Sequence, residues 1–566
     1  MILAALLLAL SQDGNRLTYL DESDPYYVHL KFPKLITPQW IGEEGVDAAI
    51  VLAIDDMRGH EKWETYLRPI LERLKKIDGR APVSIMTCSI DPNHPHLQKW
   101  LKEGLSIEVH TVDHPCPVLK DGDFLKAKST VDRCIDLMHL IPNNKPVAFR
   151  MPCCDSLNTL SPRFLAEIFN RTTPGGKFLT IDTSVFNLTT SADPDLPRDL
   201  VLDADGKERI RKYVPFPSFV NTIENYPYPY VIGRLCWEFP CAVPSDWEAQ
   251  HLNKPFHPQT VADLKASIDA VVQKKGVFNF VFHPHGWIKP EQVVELIDHV
   301  VEKHGTRVKF LTFREAQERL DKTFGPLRKP DGSDNGVRIL DVDGNGFIDG
   351  VKLGERTIEV VLFGADGKSI RTAFTDPSAS PRDGRFGIFR KSRFASLIST
   401  EGAWTFDERG TFRSDTWIGT QKDSHAVFRD LDGDGQCEQL LESAIYSLDL
   451  DTWRRLPIEL PVYRLDAQAH DNGVRFVDLD GDGHADIVAS NERVWGVWLF
   501  KDLKTGWQKI STGKQGDPGS LPMIMRHGNN NGAWFHSKHL WVQNEDTAKM
   551  KDLVDRRSFD ELLQEK

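Results

Sequence analysis

The 566-residue chain is 40% hydrophobic and 27% charged, long enough for two or more domains with full cores. Its formal net charge of −12 offers no basic surface for nucleic acid or an anionic membrane, which excludes both as electrostatic partners and favours a neutral or cationic substrate. No apolar window reaches the length of a membrane span.

Residues 1–11 are apolar, too short to cross a bilayer, and followed by the polar residues Gln12 and Asp13. They resemble the apolar part of an export signal, without the basic residue that usually precedes one, so the expected location is secreted, periplasmic or cell-surface. Residues 12–45 read as an irregular lead-in. From residue 46 strands alternate with helices. Residues 48–54 form an apolar run suited to a strand buried on both faces, and Trp63, Tyr66, Leu67, Ile70, Leu71 and Leu74 recur at helical spacing. Further strands are expected at 82–88, 106–110, 146–152, 177–182, 276–283 and 307–311, with helices at 96–103, 124–140, 161–169, 258–274 and 291–304. This alternation predicts an α/β fold, a parallel sheet closed or nearly closed into a barrel. Residues 188–247, carrying Tyr226, Tyr228, Tyr230, Trp237 and Trp247, interrupt it and read as an insertion, either a loop near a binding cleft or a surface loop with its own small core.

Four predicted strand ends carry chemistry. The first strand stops on Asp55-Asp56, where one carboxylate can hold a metal and the other move a proton. His110 and His114, four apart, can reach one ion, and Pro115 places them around a turn leaving a strand. Arg150 supplies a guanidinium that can orient a carboxylate, and His283 and His285 end the run at 280–285. Singly, these residues are as well read as caps, surface ion pairs or core histidines; together, at one end of one sheet, they read as a site.

In the order and type of these motifs, residues 46–320 resemble the polysaccharide deacetylase (NodB-homology) family of metal-dependent carbohydrate esterases. The matching stretches are Asp55-Asp56, His110-Thr111-Val112-Asp113-His114, Arg150-Met151-Pro152 and the hydrophobic strand leading to His283; Thr180-Ile181-Asp182-Thr183-Ser184-Val185 is similar to a further stretch and adds Asp182. The resemblance implies a distorted (β/α) barrel with Asp56, His110 and His114 as metal ligands, Asp55 as general base, Arg150 orienting it, and His283 or His285 as general acid. It implies zinc or another divalent transition metal, and removal of acyl groups, N-acetyl foremost, from a carbohydrate or cell-wall polymer. Met57-Arg58 and Cys153-Cys154 depart from the family pattern and bear on the substrate. An allantoinase-like or other amide or ester hydrolase on the same fold is the competing enzyme reading; a non-catalytic calcium-dependent adhesion or scaffold protein is the reading from another class.

The eight cysteines form no paired C-x-x-C zinc pattern. In an exported chain some would pair; Cys236 and Cys241 are spaced for a local loop, and spacing leaves the connectivity open.

Beyond residue 325 the texture turns to strands, glycines and tryptophans. Residues 333–346 repeat at 470–483, and 428–435 shares their core. Asp341 and Asp430 lie 89 residues apart, Asp430 and Asp478 lie 48 apart, and decayed units fall near Asp383-Gly384 and 529–532. A period near 45 predicts an all-β, propeller-like domain over 330–566. The loops place oxygen donors at alternate positions: Asp341, Asp343 and Asn345; Asp430, Asp432 and Asp434; Asp478, Asp480 and Asp482, with Asp349, Glu438 and Asp486 eight residues after each first donor. This pattern suits calcium and resembles the loops of FG-GAP repeats, which implies a protein or glycan ligand for that domain.

Overall fold

The computed structural model describes residues 28–116, 118, 123–153, 162–214, 221–416, 418, 425–550 and 554–564. The export-like segment and most of the lead-in lie outside them.

The first half is organised on one curled sheet of twelve strands: β1 (Ala48–Asp55), β2 (Ser84–Thr87), β3 (Ser106–Val109), β4 (Ala148–Phe149), β5 (Ile181–Asp182), β6 (Phe186–Leu188), β7 (Thr222–Glu224), β8 (Tyr230–Ile232), β9 (Cys236–Glu238), β10 (Cys241–Ala242), β11 (Val277–Phe282) and β12 (Val308–Leu311). The order is β7-β6-β10-β11-β1-β2-β3-β4-β5-β9-β8 with β12 also beside β1, and every pairing but β8 with β9 is parallel. All eight residues of β1 are buried. Alternate residues serve different cores: Ala49, Val51 and Ala53 pack with Trp237, Phe239 and Phe313 inside the curl, whereas Ile50, Leu52 and Ile54 pack with Leu71, Leu74 and Val293 of the outer helices.

Local chemistry explains the boundaries. One helix was expected across 63–74; two form, His60–Thr65 and Arg68–Asp78, because Pro69 has no amide to continue a ladder and is tolerated in a first turn. Asp123 and Thr312 cap Phe124–His139 and Phe313–Phe324 through hydrogen bonds from Lys126 N and Glu315 N. The expected insertion at 188–247 is not a separate loop: it supplies β7 to β10 to the sheet, and Tyr226, Tyr228, Tyr230 and Trp237 are buried rather than lining a cleft. The Tyr226 and Tyr228 hydroxyls donate to the carbonyls of Pro33 (2.5 Å) and Lys274 (2.9 Å), which settles these rings against the rest of the fold. Cys236 and Cys241 are unbridged, each in its own strand; the disulfide among the described residues joins Cys116 to Cys153.

The second half consists of small antiparallel sheets. Four have four strands and begin at Val337, Arg385, Val427 and Val474; a two-stranded sheet follows, and a three-stranded sheet begins at Ala533. The repeat has a backbone cause. Asn335, Asn472 and Asn531 each donate from Nδ2 to a carbonyl eight or nine residues earlier, of Pro326, Tyr463 and Met523. The next residue is Gly336, Gly473 or Gly532, left-handed at φ 76°, 82° and 79° and pressed against the carbonyl of Leu353, Ser490 or Gln543, where a Cβ has no room.

Both ends of this module pack on the half-barrel of the curled sheet. Val337, Ile339, Val361 and Phe363 share a core with Trp40, Phe313 and Phe324, while Trp534 and Trp541 join the core beneath the outer helices. Gln39 Nε2 donates to Ile348 O (2.8 Å), and His536 Nε2 to Thr222 O (2.6 Å). Cleavage in the exposed turn at 329–333 is therefore expected to leave two fragments that co-elute under native conditions and separate only in denaturant. Separation of the fragments in plain buffer would show that these contacts do not hold the halves together.

Candidate metal and catalytic centre

Parallel pairing brings the ends of five strands to one side of the sheet, within two residues of one another in register. Asp55 is opposite Met86, Thr87 opposite Val109, Val109 opposite Phe149, and Ile54 opposite Phe282. Continuing the register, His283 is level with Asp55, Asp56 with Thr87, and Cys88 with His110 and Arg150, so these residues form a row across the sheet staggered by two residues. The chain leaves this row in a strained backbone: Asp56, Thr111, His114 and Cys153 have φ of 60°, 64°, 51° and 50°, a region side chains other than glycine rarely adopt. The Cys116–Cys153 disulfide ties the loop after His114 to the loop after Arg150.

One group in the row is suited to a metal. Asp56, Cys88, His110 and His114 each offer an atom, and these atoms all lie within 4.8 Å of one another. His110, 1% exposed, donates from Nδ1 to Arg150 O at 2.8 Å, which leaves its Nε2 lone pair for a ligand. His114 Nε2 is 3.2 Å from Asp56 Oδ1, and His285 Nε2 donates to Asp56 Oδ2 at 3.1 Å. Burial pushes both ligand-type imidazoles below the ordinary histidine range, His114 to about 4, which keeps them neutral as coordination requires. Burial alone would raise the Asp56 carboxyl; the His285 hydrogen bond and the neighbouring imidazoles hold it far below the usual carboxylate range. A carboxylate, two imidazoles and a thiol form a donor set that fits zinc or a similar divalent ion.

A second group is suited to proton transfer. Arg150, fully buried, donates from Nη1 to Asp55 Oδ1 at 2.8 Å, from Nε to Thr183 O (3.2 Å) and from Nη2 to Thr183 Oγ1 (3.2 Å) and Asn279 Oδ1 (3.1 Å). Asp55 Oδ2 faces His283 Nε2 at 3.8 Å. On its far side His283 donates Nδ1–H to Asp246 Oδ1 at 2.7 Å, and its backbone amide donates to Asp246 Oδ2 at 2.8 Å. Burial opposes the imidazolium, but the Asp246 carboxylate, with Asp55 and Asp56 behind it, pushes His283 up to about 9. Trp287 packs edge-on against both His283 and His285.

Asp182 does not join this group. Neighbouring strand residues face opposite sides of a sheet, so Thr183 reaches Arg150, while the Asp182 carboxylate accepts from Ser184 Oγ (2.8 Å) and Ser184 N (3.1 Å) and lies against Glu238, burial raising both acids. Its contribution is indirect, because Ser184 Oγ accepts from Met151 N beside Arg150. Sequence reasoning overlooked Cys88, Thr183, Asp246 and Asn279. Asn279 carried a signal, a lone amide inside the apolar strand Val277–Phe282, and Cys88 another, a strand-end position like those of Asp56 and His110. Asp246 carried none, since it comes from the segment read as an insertion.

In the second half, three acidic groups assemble: Asp341, Asp343 and Asp349; Asp430, Asp432 and Glu438; Asp478, Asp480 and Asp486. Asn345, Asp434 and Asp482 stand between the members of these groups. Each accepts the backbone amide two residues on, closing an Asx turn, and Asp434 and Asp482 also pair with Lys391 and His484. The last member of each group is buried and pinned by backbone amides, Val342 and Phe363 on Asp349, Leu431 on Glu438, Leu479 and Phe500 on Asp486. Burial and the neighbouring carboxylates raise all three, Glu438 to about 8 and Asp486 to about 7.

No protein-family model and no curated protein matches the chain. Among solved structures it is similar to a protein described as a polysaccharide deacetylase from Mycobacterium smegmatis, at 14% identity and a TM-score of 0.31 over 52% of this chain and 96% of that one. It is also similar to an allantoinase, at 12% identity and 0.32 over 55% and 98%. A third is the catalytic domain of a peptidoglycan N-acetylglucosamine deacetylase from Eubacterium rectale, at 16% and 0.25 over 47% and 88%.

Proposed function

We propose that the first half, residues 46–325, is a metal-dependent hydrolase that removes acyl groups, N-acetyl foremost, from a carbohydrate or cell-wall polymer. The observation that carries this reading is the opposition of Asp55 Oδ2 and His283 Nε2 at 3.8 Å beside the Asp56, His110 and His114 group, a held carboxylate facing a held imidazolium. An ion held by Asp56, His110 and His114 would supply the positive charge that polarises an acyl carbonyl and acidifies a water. Arg150 occupies Oδ1 of Asp55 and leaves Oδ2 facing His283, free to take the proton of the attacking water. His283, kept protonated by Asp246, gives its Nε2 proton to the departing amine. His285 fills a different role, fixing the orientation of Asp56 from its second oxygen. Metal analysis followed by an acetate-release screen on chitooligosaccharides, peptidoglycan and acetylated xylan tests this reading; a protein that binds no transition metal and releases no acetate from any of them would refute it.

The role given to His283 has a pH signature. A general acid titrating near 9 loses activity as pH rises through that value. Asp246→Asn removes the charge that raises it, so the alkaline limb of kcat should move downward by about one unit or more, toward the ordinary histidine range near 6.5. An alkaline limb that stays in place in Asp246→Asn would assign the acid elsewhere.

For residues 330–566 the reading is a propeller-like module that holds calcium in its three acidic groups and binds a glycan or protein partner outside the cell. Crowded carboxylates that are forced to hold protons become favourable ligands once an ion neutralises them. Calcium at a hundred times its dissociation constant should stabilise the module by about 2.7 kcal/mol per occupied loop, seen as a rise in Tm that a chelator reverses. Identical melting with calcium and with chelator would reduce the loops to acidic turns.

A further inference from the structure

We propose that Cys88 is a fourth protein ligand of the metal centre, making it a carboxylate, imidazole, imidazole, thiolate set selective for thiophilic divalent ions, with the reacting water as a fifth ligand. The inference rests on the metal-dependent reading above and adds a residue that the sequence motifs do not contain. Cys88 directly follows β2, the strand between those that deliver Asp56 and His110, and lies level with His110 and one residue beyond Asp56. Its sulfur belongs to the group of four donor atoms within 4.8 Å of one another, 4.0 Å from Asp56 Oδ1, while that oxygen is 3.2 Å from His114 Nε2. Donors at bond lengths of about 2.0 Å for nitrogen and oxygen and about 2.3 Å for sulfur sit roughly 3.3–3.5 Å apart around one ion, so the separation of the sulfur from Asp56 Oδ1 exceeds that of two ligands by about half an ångström.

The surroundings fit a ligand better than a packing residue. Cys88 is 1% exposed, and its thiol donates to His110 O at 3.3 Å, the carbonyl of a neighbouring donor. Arg58 reaches it: Nη2 is 3.5 Å from the sulfur and 3.4 Å from Asp56 Oδ1, so one guanidinium faces both prospective anions. Nearby Cys134 provides the contrast. It is equally buried, but its thiol points at the carbonyls of Thr87 and Cys88 and is not part of the donor group. On ligation the S–H bond of Cys88 breaks, its proton passes to solvent, and a sulfur–metal bond forms. A thiolate in the set favours zinc, cobalt(II) and cadmium over manganese and magnesium.

Cobalt(II) titration of the full-length protein reads the thiolate directly. The wild type should show a sulfur-to-cobalt charge-transfer band in the near ultraviolet that Cys134→Ser retains and that Cys88→Ser and Cys88→Ala lack. In competition, Cys88→Ser should lose at least about tenfold of the wild-type preference for cadmium over manganese. The wild-type spectrum decides the matter even if the Cys88 variants fail to fold. Stoichiometric cobalt binding without the band, abolished in His114→Ala, would overturn Cys88 as a ligand while leaving the metal centre intact. Equal cobalt binding by wild type and His114→Ala would overturn the metal reading itself, and this inference with it.

Discussion

Asp55→Asn is expected to keep the metal and lose turnover by about a hundredfold to ten-thousandfold, the contribution of a positioned general base. The substitution preserves shape and one acceptor for Arg150 Nη1 while removing the carboxylate that faces His283. Asp56→Ala and His114→Ala should behave differently: metal content and activity fall together, because each removes a donor of the clustered set. The informative comparison is therefore metal content per protein against kcat for the three variants. Full activity in Asp55→Asn, on a substrate the wild type deacylates, would contradict the mechanism. Metal loss in Asp55→Asn equal to that in Asp56→Ala would place both aspartates around the ion.

Arg150→Met is expected to destabilise the fold by about 3–5 kcal/mol, an effect on structure before any effect on catalysis, because it removes the hydrogen-bonded counter-charge of the buried Asp55 carboxylate and leaves only His283, 3.8 Å away. The guanidinium also bonds Thr183 and Asn279, so β1, β11 and the segment after β5 all depend on it. Removing both charges should cost less than the sum of the single losses, since neither partner is then left charged and alone. Denaturant melts of Arg150→Met, Asp55→Asn and the double variant measure this directly. A loss under 1 kcal/mol in Arg150→Met would mean that water or His283 replaces the guanidinium, and that Arg150 does not hold Asp55 in place.

Much of the barrel is legible in the chain because its signals are local. An apolar run such as 48–54 can only be buried, Gly104 stops a helix where its left-handed φ of 112° is needed, and the Asn-Gly steps of the second half mark sheet starts through backbone geometry that few other residues permit. The strand-end residues Asp55, Asp56, His110, Arg150 and His283 were readable for the same reason: parallel strands end on one side, so a motif that terminates a strand is placed by that fact. Partnerships were not readable. Asp246 binds His283 from 37 residues away and comes from the end of a segment whose aromatic composition suggested a loop, but which the fold absorbs because Tyr226, Tyr228 and Trp237 gain more from burial than from solvent. The pairing of Cys116 with Cys153 was equally closed to spacing arguments, since it depends on two loops meeting above β3 and β4.

By itself, then, the sequence determined the succession of strands and helices, the repeat of the second half and the types of residue at each strand end, all set by neighbours within a few positions along the chain. Tertiary structure alone decided that Asp182 faces away from Arg150 while Thr183 faces it, that Cys88 stands with Asp56, His110 and His114, and that both ends of the β-module rest on the first half. The physical reason is that side-chain direction, register and long-range packing are fixed only when strands distant in sequence are set side by side, and a shift of one residue would turn every such contact to the other face.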